Sequence, residues 1–226
     1  MRRTIGFYRV LSIRRRQVCI ALLFLAVVCA VIAAIVFLIM RGAGGAREYS
    51  QNRPETDEVL GVPLSVQYIS PEIDNRPGIL RQIKYIVIHE TANHNTGADA
   101  QAHADYLAAG GDEETSWHYT VDDHQIVQHI PDNEVSWNAG DKLRANGGNL
   151  NGISIELCVN DDGDFEKTFD NGARLTAYLL NAYELDTGAV LQHFNFNGKN
   201  CPMTIRDNGR WDAFVGLVEQ YRAELK

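Results

Sequence analysis

No acidic side chain occurs in residues 1–40, and beyond them positive charge is scarce. Six of the 21 basic residues (Arg2, Arg3, Arg9, Arg14, Arg15 and Arg16) lie in that first stretch, which leaves 15 against all 29 acids, a net of −14. So acidic a portion is a poor partner for a phosphate backbone, which argues against nucleic-acid binding. Cysteine is scarce too. Of four, Cys19 and Cys29 fall in an apolar N-terminal run, so Cys158 and Cys201 alone remain for the rest of the chain and leave room for a single disulfide between them. There is no internal repeat. With 226 residues, 45% hydrophobic and 22% charged, the chain suits one ordinary domain plus an appendage, and neither disorder throughout nor a collagen-like repeat fits.

What is present first is a run of 23 uncharged residues, Val18 to Met40. As a helix it reaches roughly 34 Å, enough for a hydrocarbon core of about 30 Å. A secretory signal has a shorter apolar stretch, so the run reads as a signal anchor, although Gly44-Gly45-Ala46 leaves processing open. Cys29 follows Val28, where a lipoprotein signal needs a small residue, which argues against lipidation. The arginines before the run place residues 1–17 in the cytoplasm as a basic tail and the large C-terminal portion outside, as a single-pass membrane protein. Residues 41–58 are Gly-rich and then polar, which predicts a flexible linker, with the globular part, 59–226, starting near Val59.

Within that part, Ile83 to His89 and Gly152 to Val159 read as buried strands. His118 to Val121 and Gln125 to Ile130 read as a hairpin around Asp122-Asp123-His124. Ala98 to Ala109 reads as a helix stopped by Gly110-Gly111, and Asp170 as the cap of a helix running to about Asp186. A last helix places Trp211, Phe214, Val215, Val218, Tyr221 and Leu225 on one face. Strands alternating with helices, with one hairpin, predict an α/β fold: a mixed central β-sheet flanked by helices.

The residues suited to chemistry cluster late. His193 and Cys201 stand eight positions apart across a glycine-containing loop, and imidazole and thiolate are preferred zinc ligands. His89, at the end of a strand, is the candidate third ligand. Three protein ligands leave a fourth position open, the pattern of a catalytic rather than a structural zinc site. Glu156 sits in an apolar strand, where a carboxylate is costly without a partner or a task, and general-base work would be such a task. Lys199 could stabilise an oxyanion. Each has a plainer alternative: a core histidine at His89, an ion pair of Glu156 with Arg174, a solvated Lys199, a disulfide at Cys201. His94, His103, His124 and His129 read as surface or structural residues, and His118 as at most a substrate contact or a residue behind the site.

Three ordered motifs, Ile86 to Asn93 (IVIHETAN), Asn151 to Asn160 (NGISIELCVN) and His193 to Pro202 (HFNFNGKNCP), resemble those of the type-2 zinc-dependent N-acetylmuramoyl-L-alanine amidases, relatives of the peptidoglycan recognition proteins. The Asn75 to Gly78 lead-in and the Trp137 to Asp141 segment extend the likeness over about Asp74 to Cys201. The resemblance implies a mixed sheet with a groove and hydrolysis of the amide between N-acetylmuramic acid and L-alanine in peptidoglycan. It implies Zn2+ held by His89, His193 and Cys201, with Glu156 and Lys199 catalytic. Trp117, His118, Trp137 and Asn138 would meet the substrate. The chain departs from the pattern at Trp117, where some branches carry a catalytic tyrosine, so proton transfer rests on Glu156. It departs again at Asn138, where many relatives have histidine, and at His124, which replaces a hairpin glycine. A non-catalytic peptidoglycan-binding receptor is the alternative. Such relatives typically lack the cysteine, so Cys201 counts against it.

Overall fold

The computed structural model describes residues 22–32, 47–50 and 52–225. The arginines of the basic tail, Cys19, most of Val18 to Met40 and residues 41–46 lie outside the described residues. Residues 22–32 form a helix, α1. Among the described residues, no helix is long and apolar enough to cross a membrane.

The domain from Arg47 onward is built on one seven-stranded sheet. Its strands are β1 (Glu58–Val59), β2 (Val62–Val66), β3 (Tyr85–Glu90), β4 (Tyr119–Val121), β5 (Ile126–Gln128), β6 (Gly152–Leu157) and β7 (Val190–Gln192), in the order β1-β2-β5-β4-β6-β3-β7. The four-strand stretch β4-β6-β3-β7 is parallel, the hairpin β4–β5 is antiparallel, and β2 runs parallel to β5. The sheet is therefore mixed, as the hairpin around Asp122 predicts. No glycine is needed at His124, because Asp122 Oδ1 accepts the His124 and Gln125 N–H groups and closes the turn.

Alternation along the strands divides the sheet into two faces. Ile86, Ile88, Ile153, Ile155 and Leu157 enter the main core with Leu175, Leu179 and Leu180 of α4 (Phe165–Ala182) and Phe214 and Val218 of α7 (Trp211–Glu224). These aliphatic side chains are wholly buried, each worth roughly 1.5–3 kcal/mol. Ile126 joins that core, while its neighbour Val127 faces Ala100 and Ala104 of α2 (Ala100–Ala108). Asp99 caps α2 by accepting from Ala102 N–H at 2.8 Å, and the left-handed Gly110 and Gly111 follow its end.

Two expectations change. The long helix is capped by Asp164, which accepts from Glu166 and Lys167 N–H, and Asp170 lies inside it, paired with Arg174 at 2.8 Å. Phe165 and Phe169, packed into the main core, start the helix six residues before a cap at Asp170 allows. The other change concerns the linker. Residues 47–50 and 52–57 do not behave as a free tether. Glu48 N–H donates to Gly78 O, Tyr49 OH to Pro71 O and Ser50 N–H to Glu134 Oε1, while Asn52 O accepts from Tyr68 OH. Polar composition suggested freedom, but these groups find partners in the domain.

Candidate metal centre in the groove

The register of the central strands builds the site. His89, next to last in β3, is paired across to Glu156 of β6, the strand that follows the short helix α3 (Gly148–Asn151), so both side chains stand on the face opposite the α4 and α7 core. The chain leaves β7 directly into His193, whose N–H donates to Ile88 O at 3.2 Å. A short helix, α5 (Phe194–Asn197), then ends at Gly198, whose φ of 81° favours glycine. This reversal brings Cys201 back, and Phe194 N–H donates to Cys201 O.

His89, His193 and Cys201 thereby converge: their ligand atoms all lie within 4.8 Å of one another. The imidazole centroids are 4.7 Å apart, and His89 Nδ1 is 3.7 Å from Glu156 Oε1. Asn197, one helical turn beyond His193, has its amide nitrogen 3.0 Å from His193 Nε2 and donates to Ala139 O. His193 Nδ1, His89 Nε2 and Glu156 Oε2 are buried without a hydrogen-bond partner. Buried polar atoms are rarely left so. The orphaned imidazole nitrogen of His193 beside a thiol and a second imidazole fits a zinc ion, whose usual protein ligands are histidine nitrogen and cysteine sulfur.

The electrostatics agree. Burial, then the neighbouring His193 and Lys199, holds His89 well below the usual histidine range. Burial and Lys199 bring His193 down to about 4. Both imidazoles are therefore neutral near pH 7, the form that binds a metal. Burial pushes the Cys201 thiol up to about 12, with Glu156 adding to the rise. It pushes the Glu156 carboxyl up to about 8, against the pull of Lys199. A cation among them favours the thiolate and carboxylate and reverses both shifts.

The groove above these residues has a volume of about 800 Å³. Trp117, Trp137, Asn138, Glu156, His193 and Lys199 all line it. Trp117 stacks near Tyr106 and anchors its indole N–H on Thr120 Oγ1 at 2.7 Å. Asn138 contributes to the wall, but its amide nitrogen donates to Ser136 Oγ at 2.7 Å. His118 is a correction: it is fully buried and does not line the groove. Its ring nitrogens meet Ser154 Oγ, Ser136 Oγ, Glu134 O and the Arg81 guanidinium, so it braces the sheet and cannot touch substrate.

Two of the plainer alternatives fall away. Cys158 and Cys201 are both free thiols, and Cys158 Sγ lies 4.0 Å from His103 Nδ1. Arg174 serves Asp170 and not Glu156. Sequence reasoning missed His103 and Tyr106 as groove residues, and Asn197 as the brace of His193. The four-residue spacing from His193 to Asn197 on a helix was the available signal for the last.

A family model described as N-acetylmuramoyl-L-alanine amidase (Amidase_2) matches residues 80–204, and the chain belongs to this family. Its curated relatives include the N-acetylmuramoyl-L-alanine amidases XlyA and CwlH of Bacillus subtilis (strain 168). The XlyA match is 45% identical over 154 residues, 68% of this chain and 50% of that protein. The CwlH match is 40% identical over 157 residues, 70% of this chain and 61% of that protein. The chain thus spans about half to three-fifths of the length of these relatives. The solved structure of the catalytic domain of XlyA superposes with a TM-score of 0.65 at 41% identity, covering 70% of this chain and 99% of that one.

Proposed function

We propose that this chain is a zinc-dependent peptidoglycan hydrolase that cleaves the amide between N-acetylmuramic acid and L-alanine. The observation that carries the reading is the meeting of His89, His193 and Cys201 beside Glu156, at the groove that Glu156 and His193 line. Its relatives XlyA and CwlH, both named for this activity, support it. His89, His193 and Cys201 would hold the zinc, which when bound supplies a Lewis acid for the carbonyl and lowers the pKa of water.

The chain's own residues do the rest. The Glu156 carboxylate takes the proton of the attacking water and returns it to the alanine nitrogen as the C–N bond breaks. That return is needed because an amine anion is a very poor leaving group. The Lys199 ammonium offers charge to the developing oxyanion. With Trp117 in the position where some relatives carry tyrosine, no phenol shares the proton transfer there. Trp117 and Trp137 offer apolar faces to sugar and peptide.

The reading extends to the membrane. The uncharged 23-residue run Val18 to Met40, preceded by six arginines, supports a single-pass anchor with a cytoplasmic N-terminus and the domain facing the wall.

Incubation of the purified chain with peptidoglycan tests the activity. New N-terminal alanine without new reducing ends is the expected product. Reducing ends without free alanine would identify a glycosidase, and tight binding with neither product a receptor. Chelation abolishes the release and added zinc restores it.

A further inference from the structure

Glu90 follows His89 in the chain and belongs to no donor set. Alternation along β3 turns its side chain away from His89. It is 6% exposed, and both carboxylate oxygens are engaged by backbone amides at the start of α6 (Met203–Asp207). Oε2 accepts from Thr204 N–H at 2.7 Å, and Oε1 from Ile205 N–H at 3.0 Å. Its own backbone N–H reaches Cys201 Sγ at 3.5 Å. One residue therefore grips the Cys201 segment twice, across 111 to 115 positions of chain.

The charge is notable as well. Among the described residues, no lysine, arginine or histidine lies within ion-pair distance of Glu90. Two amides only partly replace the water that a buried carboxylate loses. A divalent cation at the adjacent site would offset more of that cost. Residues behind the ligands of a metal commonly orient them in this way.

We infer that Glu90 is a positioning residue for the metal centre: by clamping the α6 amides and donating its own N–H to the sulfur, it holds Cys201 against the strand that carries His89. The inference rests on the zinc reading above. Besides the clamp, the segment from Gly198 to Pro202 reaches the sheet through Phe194 and His193 and through Arg206, which donates to Asn200 Oδ1 and to Gln192 Oε1 of β7.

Zinc affinity of the full chain, measured by chelator competition, tests this without relying on turnover. Glu90→Ala is expected to weaken zinc binding 10- to 100-fold. Glu90→Gln keeps the shape and one acceptor but sets an amide NH2 against a backbone N–H, and should give an intermediate loss. In the cobalt-substituted protein, both variants should weaken or shift the thiolate-to-cobalt absorption, which a cap serving stability alone would leave unchanged. Zinc affinity within twofold of the parent chain and an unaltered cobalt spectrum in Glu90→Gln would overturn the proposal. Should Glu90→Ala fail to fold, Glu90→Gln decides. A parent chain that takes up no zinc defeats the zinc reading itself, and that is seen before any variant is examined.

Discussion

Two buried polar clusters in this domain solve the same problem in opposite ways. Arg76 and Glu134 are 4% and 0% exposed and saturate each other, with Arg76 Nη2 at 2.6 Å and Nε at 2.8 Å from the carboxylate. Ser50 N–H and Ile69 O take up remaining positions, and Tyr49 and Tyr68 lie against the guanidinium. The groove cluster is buried to a similar degree, yet His193 Nδ1, His89 Nε2 and Glu156 Oε2 have no partner. Burial costs apply to both. The saturated cluster ties the segment at Tyr49 and Ser50 to the domain, and the unsaturated one leaves donors free for a ligand from outside. Between these two clusters the difference is unfinished hydrogen bonding more than burial; single unpartnered atoms, such as His129 Nδ1 and Ser65 Oγ, also occur in the scaffold, but among the described residues only the groove gathers them beside a thiol.

The contrast is sharpened most by Glu156→Gln. This change should lower alanine release about 100- to 10,000-fold while zinc content and thermal stability stay at the parent level. Full turnover would remove Glu156 from the chemistry. The reciprocal change is Glu134→Ala, which leaves the Arg76 charge buried and alone. Urea unfolding should show a loss of about 3–5 kcal/mol, with activity per folded molecule retained. Asn197→Ala comes next. Losing the brace on His193 should weaken zinc affinity about 10-fold or more, read by chelator competition, with little change in stability.

The smallest effect is a pH slope. Burial, with a contribution from His103, holds His129 down to about 3, while the unfolded chain titrates near 6.5. The unfolded state binds more protons between those values, so stability is complete above about pH 6.5 and falls as pH drops toward 3. The slope is at most about 1.4 kcal/mol per pH unit for this group. Urea midpoints at pH 7.5 and 5 measure it, and His129→Asn should remove this group's share, leaving that of the other buried histidines His89, His118 and His193.

Much of the fold was legible because the strands around Ile88 and Ile155 are continuous apolar runs and the last helix repeats its apolar face. The candidate ligands were legible because His193 and Cys201 are neighbours in sequence and His89 ends a strand. Helix α4 was misjudged because Asp164 and Asp170 are both plausible caps, and only the packing of Phe165 and Phe169 selects the earlier one. His118 was misplaced because adjacent strand residues look alike in sequence, whereas its hydrogen bonds to Ser154 and Ser136 show that it points into the protein. The segment at Tyr49 and Ser50 looked free because its composition is that of a linker, and its partners Pro71 and Glu134 are remote in sequence.

Local sequence alone determined the two central strands, the hairpin, the periodic last helix and which residue types could bind a metal, because periodicity and side-chain chemistry act over a few neighbouring positions. Tertiary structure decided that His89, Glu156, His193 and Cys201 meet at one place, that Cys158 stays apart from Cys201, and that Glu90 holds the Cys201 segment. Those outcomes depend on strand register and loop closure across more than a hundred residues, which no local pattern encodes.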